Sequence, residues 1–298
     1  MVSKEMEILI KQLRQFQASQ AEPSVEEMRK GLEQLASLQK LPKDVKCEPV
    51  NAGGVPAEWI TVPRVVGQNV ILYLHGGGYT GGSIRTHRDL AARISRVSKA
   101  RVLIIDYRLA PEHPFPAALE DTIAVYRWLI STEGIRPDNL IIVGDSAGGG
   151  LTIATLVKLR DEGIALPAAA ICLSPWTDLA CTGESMKSKA ESDPFITPEG
   201  CKFMADKYLK GADPYNPLAS PLYANLKGLP PMLIIVGTSE ILLEDSILFA
   251  KRAKAAGVDV KLDIWEDMIH VFPAFAGFVP ESRQAVEKIG EFIQKIFT

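Results

Sequence analysis

The stretch Leu140-Ile141-Ile142-Val143-Gly144-Asp145-Ser146-Ala147-Gly148-Gly149-Gly150 decides the fold. Its first half is a short apolar run rich in β-branched residues, the pattern of a strand covered on both faces. Its second half is a G-x-S-x-G, and residues 147–162 that follow carry a helical pattern. Strand, serine and helix in that order make a nucleophile elbow, with the serine on a sharp, strained turn. Neighbours at such a turn must be small so that the strand and helix backbones pass closely. Gly144, Ala147, Gly148, Gly149 and Gly150 meet that need. The helix also points its positive end at the place where an oxyanion would form. The competing reading is a tight glycine turn with an incidental serine. A nucleophilic serine, by contrast, requires a base, an orienting acid and oxyanion donors elsewhere in the chain.

Outward from the elbow, further apolar strands are expected at 70–75, 101–107, 169–174 and 232–237, with a sixth near 258–266. Helical patterns fall between them near 86–99 and 116–131, and a last helix near 281–297 closes the chain. This alternation gives an α/β fold with a doubly wound, mostly parallel central sheet flanked by helices. Upstream, residues 45–63 read as a hairpin turning at Asn51-Ala52-Gly53-Gly54. Residues 3–20 place Met6, Leu9, Ile10, Leu13 and Phe16 at helical spacing, and 24–39 do so with Val25, Met28, Leu32, Leu35 and Leu38. Ser24 and Glu27 form the capping box of the second helix. The stretch 175–230 is rich in Pro, Asp, Ser and Lys, with a helical piece near 198–210. It reads as an excursion off the sheet.

Composition narrows the function. Hydrophobic residues make up 47% and charged residues 23% of 298, enough for a large core, and the formal net charge of -3 supplies no basic field for a phosphate backbone. Nucleic acid is therefore not an expected partner. The four cysteines, Cys47, Cys172, Cys181 and Cys201, are too few and scattered for a disulfide framework or a CxxC metal site, and fit a reduced compartment. The first residues, MVSKEMEILIKQLRQFQ, are charged and amphipathic and do not read as a secretory signal. Apolar runs are strand-sized, far short of a membrane span. The expectation is a cytoplasmic protein that needs no metal or cofactor.

The partners of a nucleophilic serine are present. His75-Gly76-Gly77-Gly78 directly follows the strand at 70–74. Acyl transfer needs backbone N–H donors aimed at the developing O⁻, and a glycine loop approaches closely enough to give them. Gly76-Gly77-Gly78-Tyr79-Thr80-Gly81 also satisfies G-x-G-x-x-G, and Asp106 ends the next strand as a ribose-binding acid would. A dinucleotide site, however, needs a helix starting inside the glycine loop. Here the helical pattern begins only near Thr86, with Thr86 and Asp89 as its cap, and 144–150 stays unexplained.

Of the four histidines, His75 belongs to the glycine loop, His87 lies beside a helix start and His113 lies in Pro111-Glu112-His113-Pro114-Phe115-Pro116. His270 follows the last strand, and the order Ser, acid, His that accompanies this elbow selects it as base. The acid should follow the strand 232–237. Glu240 stands nearest that strand end, while Glu244 and Asp245, a turn later, are expected to face solvent or cap a helix. Asp263, Glu266 and Asp267 are alternatives.

Four segments, HGGGYTGG at 75–82, YRLAPEHPFPAALED at 107–121, GDSAGGG at 144–150 and DMIHVF at 267–272, resemble the hormone-sensitive lipase family of microbial esterases. The resemblance implies an α/β-hydrolase fold in a single domain, with a small helical cap from about 1–45 and 178–212. The catalytic core would then come from about 46–177 and 213–298. It further implies Ser146 as nucleophile, His270 as base and the N–H groups of Gly77, Gly78 and Ala147 as the oxyanion hole. The family usually has an aspartate followed by Pro-Leu as acid, whereas Glu240-Ile241-Leu242 stands here. Arg108 and Glu112 are expected as ion-pair or hydrogen-bond partners in a structural segment. The implied activity is a serine carboxylesterase acting on short- to medium-chain acyl esters through an acyl-enzyme. The rivals are a non-catalytic small-molecule receptor on the same scaffold, and an amidase or lactonase using the same triad. Val258-Asp259-Val260-Lys261-Leu262-Asp263-Ile264 alternates apolar and charged residues as an edge strand does, and pairing of two copies there would give a homodimer.

Overall fold

The computed structural model describes residues 2–18, 24–37, 41–65 and 67–298. Its centre is an eight-stranded sheet: β1 Lys46–Ala52, β2 Val55–Thr61, β3 Val70–Leu74, β4 Arg101–Ile105, β5 Leu140–Asp145, β6 Ala169–Leu173, β7 Met232–Gly237 and β8 Val260–Trp265. The spatial order is β1-β2-β4-β3-β5-β6-β7-β8. The first two pairings, β1 with β2 and β2 with β4, are antiparallel, and all the others are parallel. The hairpin turns at Gly53 and Gly54, both at positive φ, which suits a two-residue turn to the strand twist.

Nine α-helices are described: α1 Lys4–Ala18, α2 Val25–Ser37, α3 Ile84–Ser98, α4 Ala117–Ser131, α5 Ala147–Asp161, α6 Ser185–Ser188, α7 Pro198–Leu209, α8 Leu243–Ala255 and α9 Pro280–Ile296. The four inner parallel strands β3, β5, β6 and β7 are buried from end to end because helices cover both faces. Ile71, Tyr73, Ile141 and Val143 face a core closed by α1, α3 and α9, while Leu72, Leu74, Leu140 and Ile142 face one closed by α4, α5 and α8. No described helix is long and apolar enough to cross a membrane. Residues 19–20 and 38–39, the expected ends of the first two helices, and the Leu38 and Phe16 side chains lie outside what is described.

The expected capping box of α2 is in place, with Ser24 N–H donating to Glu27 Oε2 at 2.8 Å and Glu27 N–H to Ser24 Oγ at 3.3 Å. Several boundaries differ by a residue or two from the sequence reading, and two of them do so through polar side chains. Helix α3 starts at Ile84 rather than near Thr86, because Ser83 and Thr86 close their own capping box. Asp89, expected in that cap, pairs with Arg93 at 2.6 Å instead. Strand β4 stops at Ile105 rather than 107. Asp106 turns to accept the Ile84 N–H at 2.6 Å, and Tyr107 turns to donate to the His75 carbonyl at 2.6 Å.

The chain order reverses about β3, which has β4 on one side and β5 on the other. Such a switch point opens a crevice at the carboxyl ends of the strands. There Leu74 and Gly144 are register partners, so the glycine loop after β3 and the serine after β5 leave the sheet side by side. Strand β8 pairs only with β7 among the described residues, and Ile264 on it is 45% exposed.

Candidate active site

Ser146 has φ 53 and ψ -121, backbone angles that cost a non-glycine residue of the order of 1–3 kcal/mol. Its surroundings hold it there. Its N–H donates to Leu173 O at 2.8 Å, and its carbonyl accepts from Gly149, Gly150 and Trp176 N–H groups at 3.0, 3.1 and 2.9 Å. Gly148 meets the need for small neighbours most sharply: a Cβ there would overlap the Leu74 carbonyl oxygen. Close packing of α5 on the end of β3 therefore requires glycine, and it sets the serine beside the 76–78 loop.

Three strand ends bring three side chains into line. Ser146 Oγ lies 3.0 Å from His270 Nε2, and His270 Nδ1 lies 2.7 Å from Glu240 Oε2. A carboxylate at Nδ1 fixes the proton on that nitrogen, leaving the Nε2 lone pair for the serine hydroxyl. Glu240 is fully buried, and its other oxygen accepts from Ser174 Oγ and Gly237 N–H, both at 2.7 Å. The Ser174 hydroxyl in turn accepts the Val271 N–H at 3.0 Å, next to the imidazole. Burial opposes a charge on His270, yet Glu240, followed by Asp193 and Asp145, outweighs it and raises the imidazole above its usual range. Burial pushes the Asp193 carboxyl up to about 6 despite the pull of His270 and three N–H groups. Asp193 ties its own segment to the acid loop, accepting the Ile241 N–H at 2.9 Å.

The N–H groups of Gly77, Gly78 and Ala147 donate to no acceptor among the described residues. Gly78 and Ala147 are nonetheless buried, and buried donors are rarely left unpaired without a function. Helix α7 lies over this loop: Met204 packs directly on Gly78, and Tyr208 stacks on Tyr79 with ring centroids 3.8 Å apart. Phe195 stands 6.1 Å from the His270 ring. On the other side Arg29 of α2 donates to the Thr80 and Ala110 carbonyls at 2.7 and 3.0 Å and grips Glu112 with both terminal nitrogens. Among the described residues no group of three His, Cys, Asp or Glu is placed to hold a metal ion.

The remaining sequence candidates lie elsewhere. Asp263 pairs with Lys288 at 3.0 Å, and Glu266 and Asp267 are exposed. His75 is buried and packed on Tyr107, His87 meets Asp145, and His113 is exposed. Arg108 pairs with Asp121 and Glu120, and Glu112 with Arg29, as expected. Asp245 does not face solvent or cap a helix. It is 2% exposed and accepts the Thr177 and Asp178 N–H groups at 2.7 and 2.9 Å, and burial pushes its carboxyl up to about 8. Glu244 accepts the Glu184 and Ser185 N–H groups at the start of α6. Ser174, Asp193 and Asp145 escaped the sequence reading. Their contacts with Glu240, Ile241 and His87 span 66, 48 and 58 residues, and nothing local to them signals those contacts.

Over residues 71–274 the chain matches the α/β hydrolase fold family. An esterase from the bacterial hormone-sensitive lipase family superposes with a TM-score of 0.96 at 48% identity, over 99% of both chains. The crystal structure of EstE5 soaked with p-nitrophenyl butyrate gives 0.93 at 50% identity, over 99% of both. The acetyl-hydrolase of Streptomyces hygroscopicus is 43% identical over 245 residues, which is 82% of this chain and 81% of that protein. The chain thus belongs to the α/β-hydrolase fold family. Within that family it is a carboxylic ester hydrolase of the hormone-sensitive lipase group.

Proposed function

We propose that the protein hydrolyses short- to medium-chain acyl esters by a Ser146–His270–Glu240 triad and an acyl-enzyme. The observation that carries this reading is the continuous line from Ser146 Oγ through both ring nitrogens to Glu240, set beside unpaired amides. His270 Nε2 takes the hydroxyl proton as Oγ attacks the ester carbonyl. The amides of Gly77, Gly78 and Ala147 bind the oxyanion, and Glu240 stabilises the imidazolium. The C–O bond to the alcohol breaks, and His270 returns its proton to the leaving oxygen. Water, deprotonated by His270, then attacks the acyl carbonyl, and the acid leaves as Ser146 regains its proton. The triad would equally serve an amidase or lactonase, and the ester reading is favoured by the relatives named esterase and acetyl-hydrolase. A serine in line with its base argues against a non-catalytic receptor. The free cysteines support a reduced, cytoplasmic setting.

The first test is covalent. A fluorophosphonate should modify Ser146 stoichiometrically, located by peptide mass spectrometry; an unmodified Ser146 would sink the triad. The acyl preference rests on the cap we assign to about 1–45 and 178–212. Met204 packs on Gly78, Phe195 stands beside His270 and Tyr208 stacks on Tyr79, so side chains of this segment border the glycine loop and the base. The butyryl ester given to EstE5 is of the class that suits such a cap. Across p-nitrophenyl esters from C2 to C16, kcat/KM should peak between C4 and C8; a maximum at C16 would contradict the cap assignment.

A further inference from the structure

Asp145 precedes the serine, yet the mechanism makes no use of it. Its carboxylate is 2% exposed and sits between the elbow and the glycine loop. Oδ1 accepts from Tyr73 Oη at 2.7 Å and from the Gly76 N–H at 3.1 Å, and Oδ2 lies 3.2 Å from His87 Nε2. A Cβ on Gly76 would overlap Oδ2, so the loop lies directly against the carboxylate. The first glycine N–H of the loop is thus taken by Asp145, while the next two, of Gly77 and Gly78, have no acceptor among the described residues.

We propose that the buried Asp145 and the His87 ring at the rim form a positioning pair that pins the glycine loop to the elbow, so that the Gly77 and Gly78 donors converge on the carbonyl attacked by Ser146. The inference rests on the triad reading above. One carboxylate spans the two pieces whose separation sets the oxyanion geometry: it follows the last strand peptide before the nucleophile and holds the amide before the donors. His87 reaches it from α3, its other nitrogen 2.7 Å from Thr86 Oγ1. Burial works against both charges. For Asp145, His87 and the Tyr73 hydrogen bond outweigh it and keep the carboxyl low. For His87, Asp145, the Ser83 backbone and Glu33 of α2 outweigh it and raise the imidazole. The other facing groups do not compete. Tyr73 and Tyr107 are held protonated by burial, and burial pushes the neighbouring His75 down to about 3, so it stays neutral. The pair is therefore a hydrogen-bonded strut with no contact to the reacting atoms.

The strut acts on the transition state, so its loss should appear in kcat and spare KM. Misplacing two donors by a fraction of an ångström should cost roughly 10–10²-fold, less than deleting one outright. The test compares Asp145→Ala, His87→Ala and His87→Gln on p-nitrophenyl butyrate, together with inhibition by a trifluoromethyl ketone whose hemiketal oxyanion occupies the same hole. The two alanine variants should lose kcat by about 10–10²-fold with KM within about threefold, and the ketone Ki should rise in step. His87→Gln keeps a neutral N–H donor and should restore most of the rate. Should Asp145→Ala fail to fold by circular dichroism, the His87 pair of variants decides alone, since that ring lies at the rim with 13% of its surface exposed. A His87→Ala protein with kcat within about twofold of the parent, or with the loss confined to KM, overturns the proposal. Absent fluorophosphonate labelling of the parent would instead sink the triad itself, whatever the variants do.

Discussion

Ser146→Ala should lower kcat for p-nitrophenyl butyrate by about 10⁴–10⁶-fold while leaving KM within a few-fold. The loss is large because, among the described residues, the serine oxygen is the one nucleophile set against the base, so the remaining amides and imidazole can assist only direct attack by water. The fold should survive the change. Alanine and serine pay the same backbone cost at φ 53, and the four hydrogen bonds that hold this residue use its N–H and carbonyl, not its hydroxyl. Circular dichroism and Tm should therefore match the parent. Retention of more than about a tenth of the parent kcat would refute the nucleophile assignment, since removing the nucleophile of a working triad leaves far less.

Glu240→Gln should cost about 10³–10⁴-fold in kcat, the scale seen when a triad acid becomes an amide. The amide nitrogen presented to Nδ1 cannot accept its proton, so the ring turns to the wrong tautomer and Nε2 loses its lone pair toward Ser146. The pH profile should shift as well. Glu240 raises the imidazole pKa, and the base works only when neutral, so kcat/KM of the parent falls as pH drops through that raised value. Without the carboxylate the acid limb should move to lower pH, with Asp193 and Asp145 left as the weaker charges on the ring. Glu240→Asp should recover only part of the rate. An aspartate retracts the carboxylate by about 1.5 Å and cannot keep His270 while still holding Ser174 and the Gly237 amide. Equal activity of the Asp and Gln variants would show that the charge, rather than its placement, is dispensable.

The strand cores were legible because burial on both faces writes itself as runs such as Leu140–Val143 and Met232–Val236. Their ends were not, because a strand stops where a polar side chain finds a better partner, as Asp106 does on the Ile84 amide. At the site, Ser146 and His270 announced themselves by elbow and chain order, and Glu240 by its place after β7. Asp245 misled for the opposite reason. A carboxylate early in a helix ordinarily faces water, and only the Thr177 and Asp178 amides, brought in from 68 and 67 residues away, make its burial tolerable. The same distance hides Ser174, which meets Glu240 across 66 residues.

Ser146 and His270 are separated by 124 residues, and the imidazole follows the outermost strand of the sheet. A polypeptide interrupted before β8 therefore keeps its elbow and its glycine loop but has nothing to accept the hydroxyl proton. Closing so long a loop costs entropy that only completed packing returns. Turnover is thus a late reporter of assembly: it begins when the final parallel strand docks, and it is lost as soon as that strand peels away.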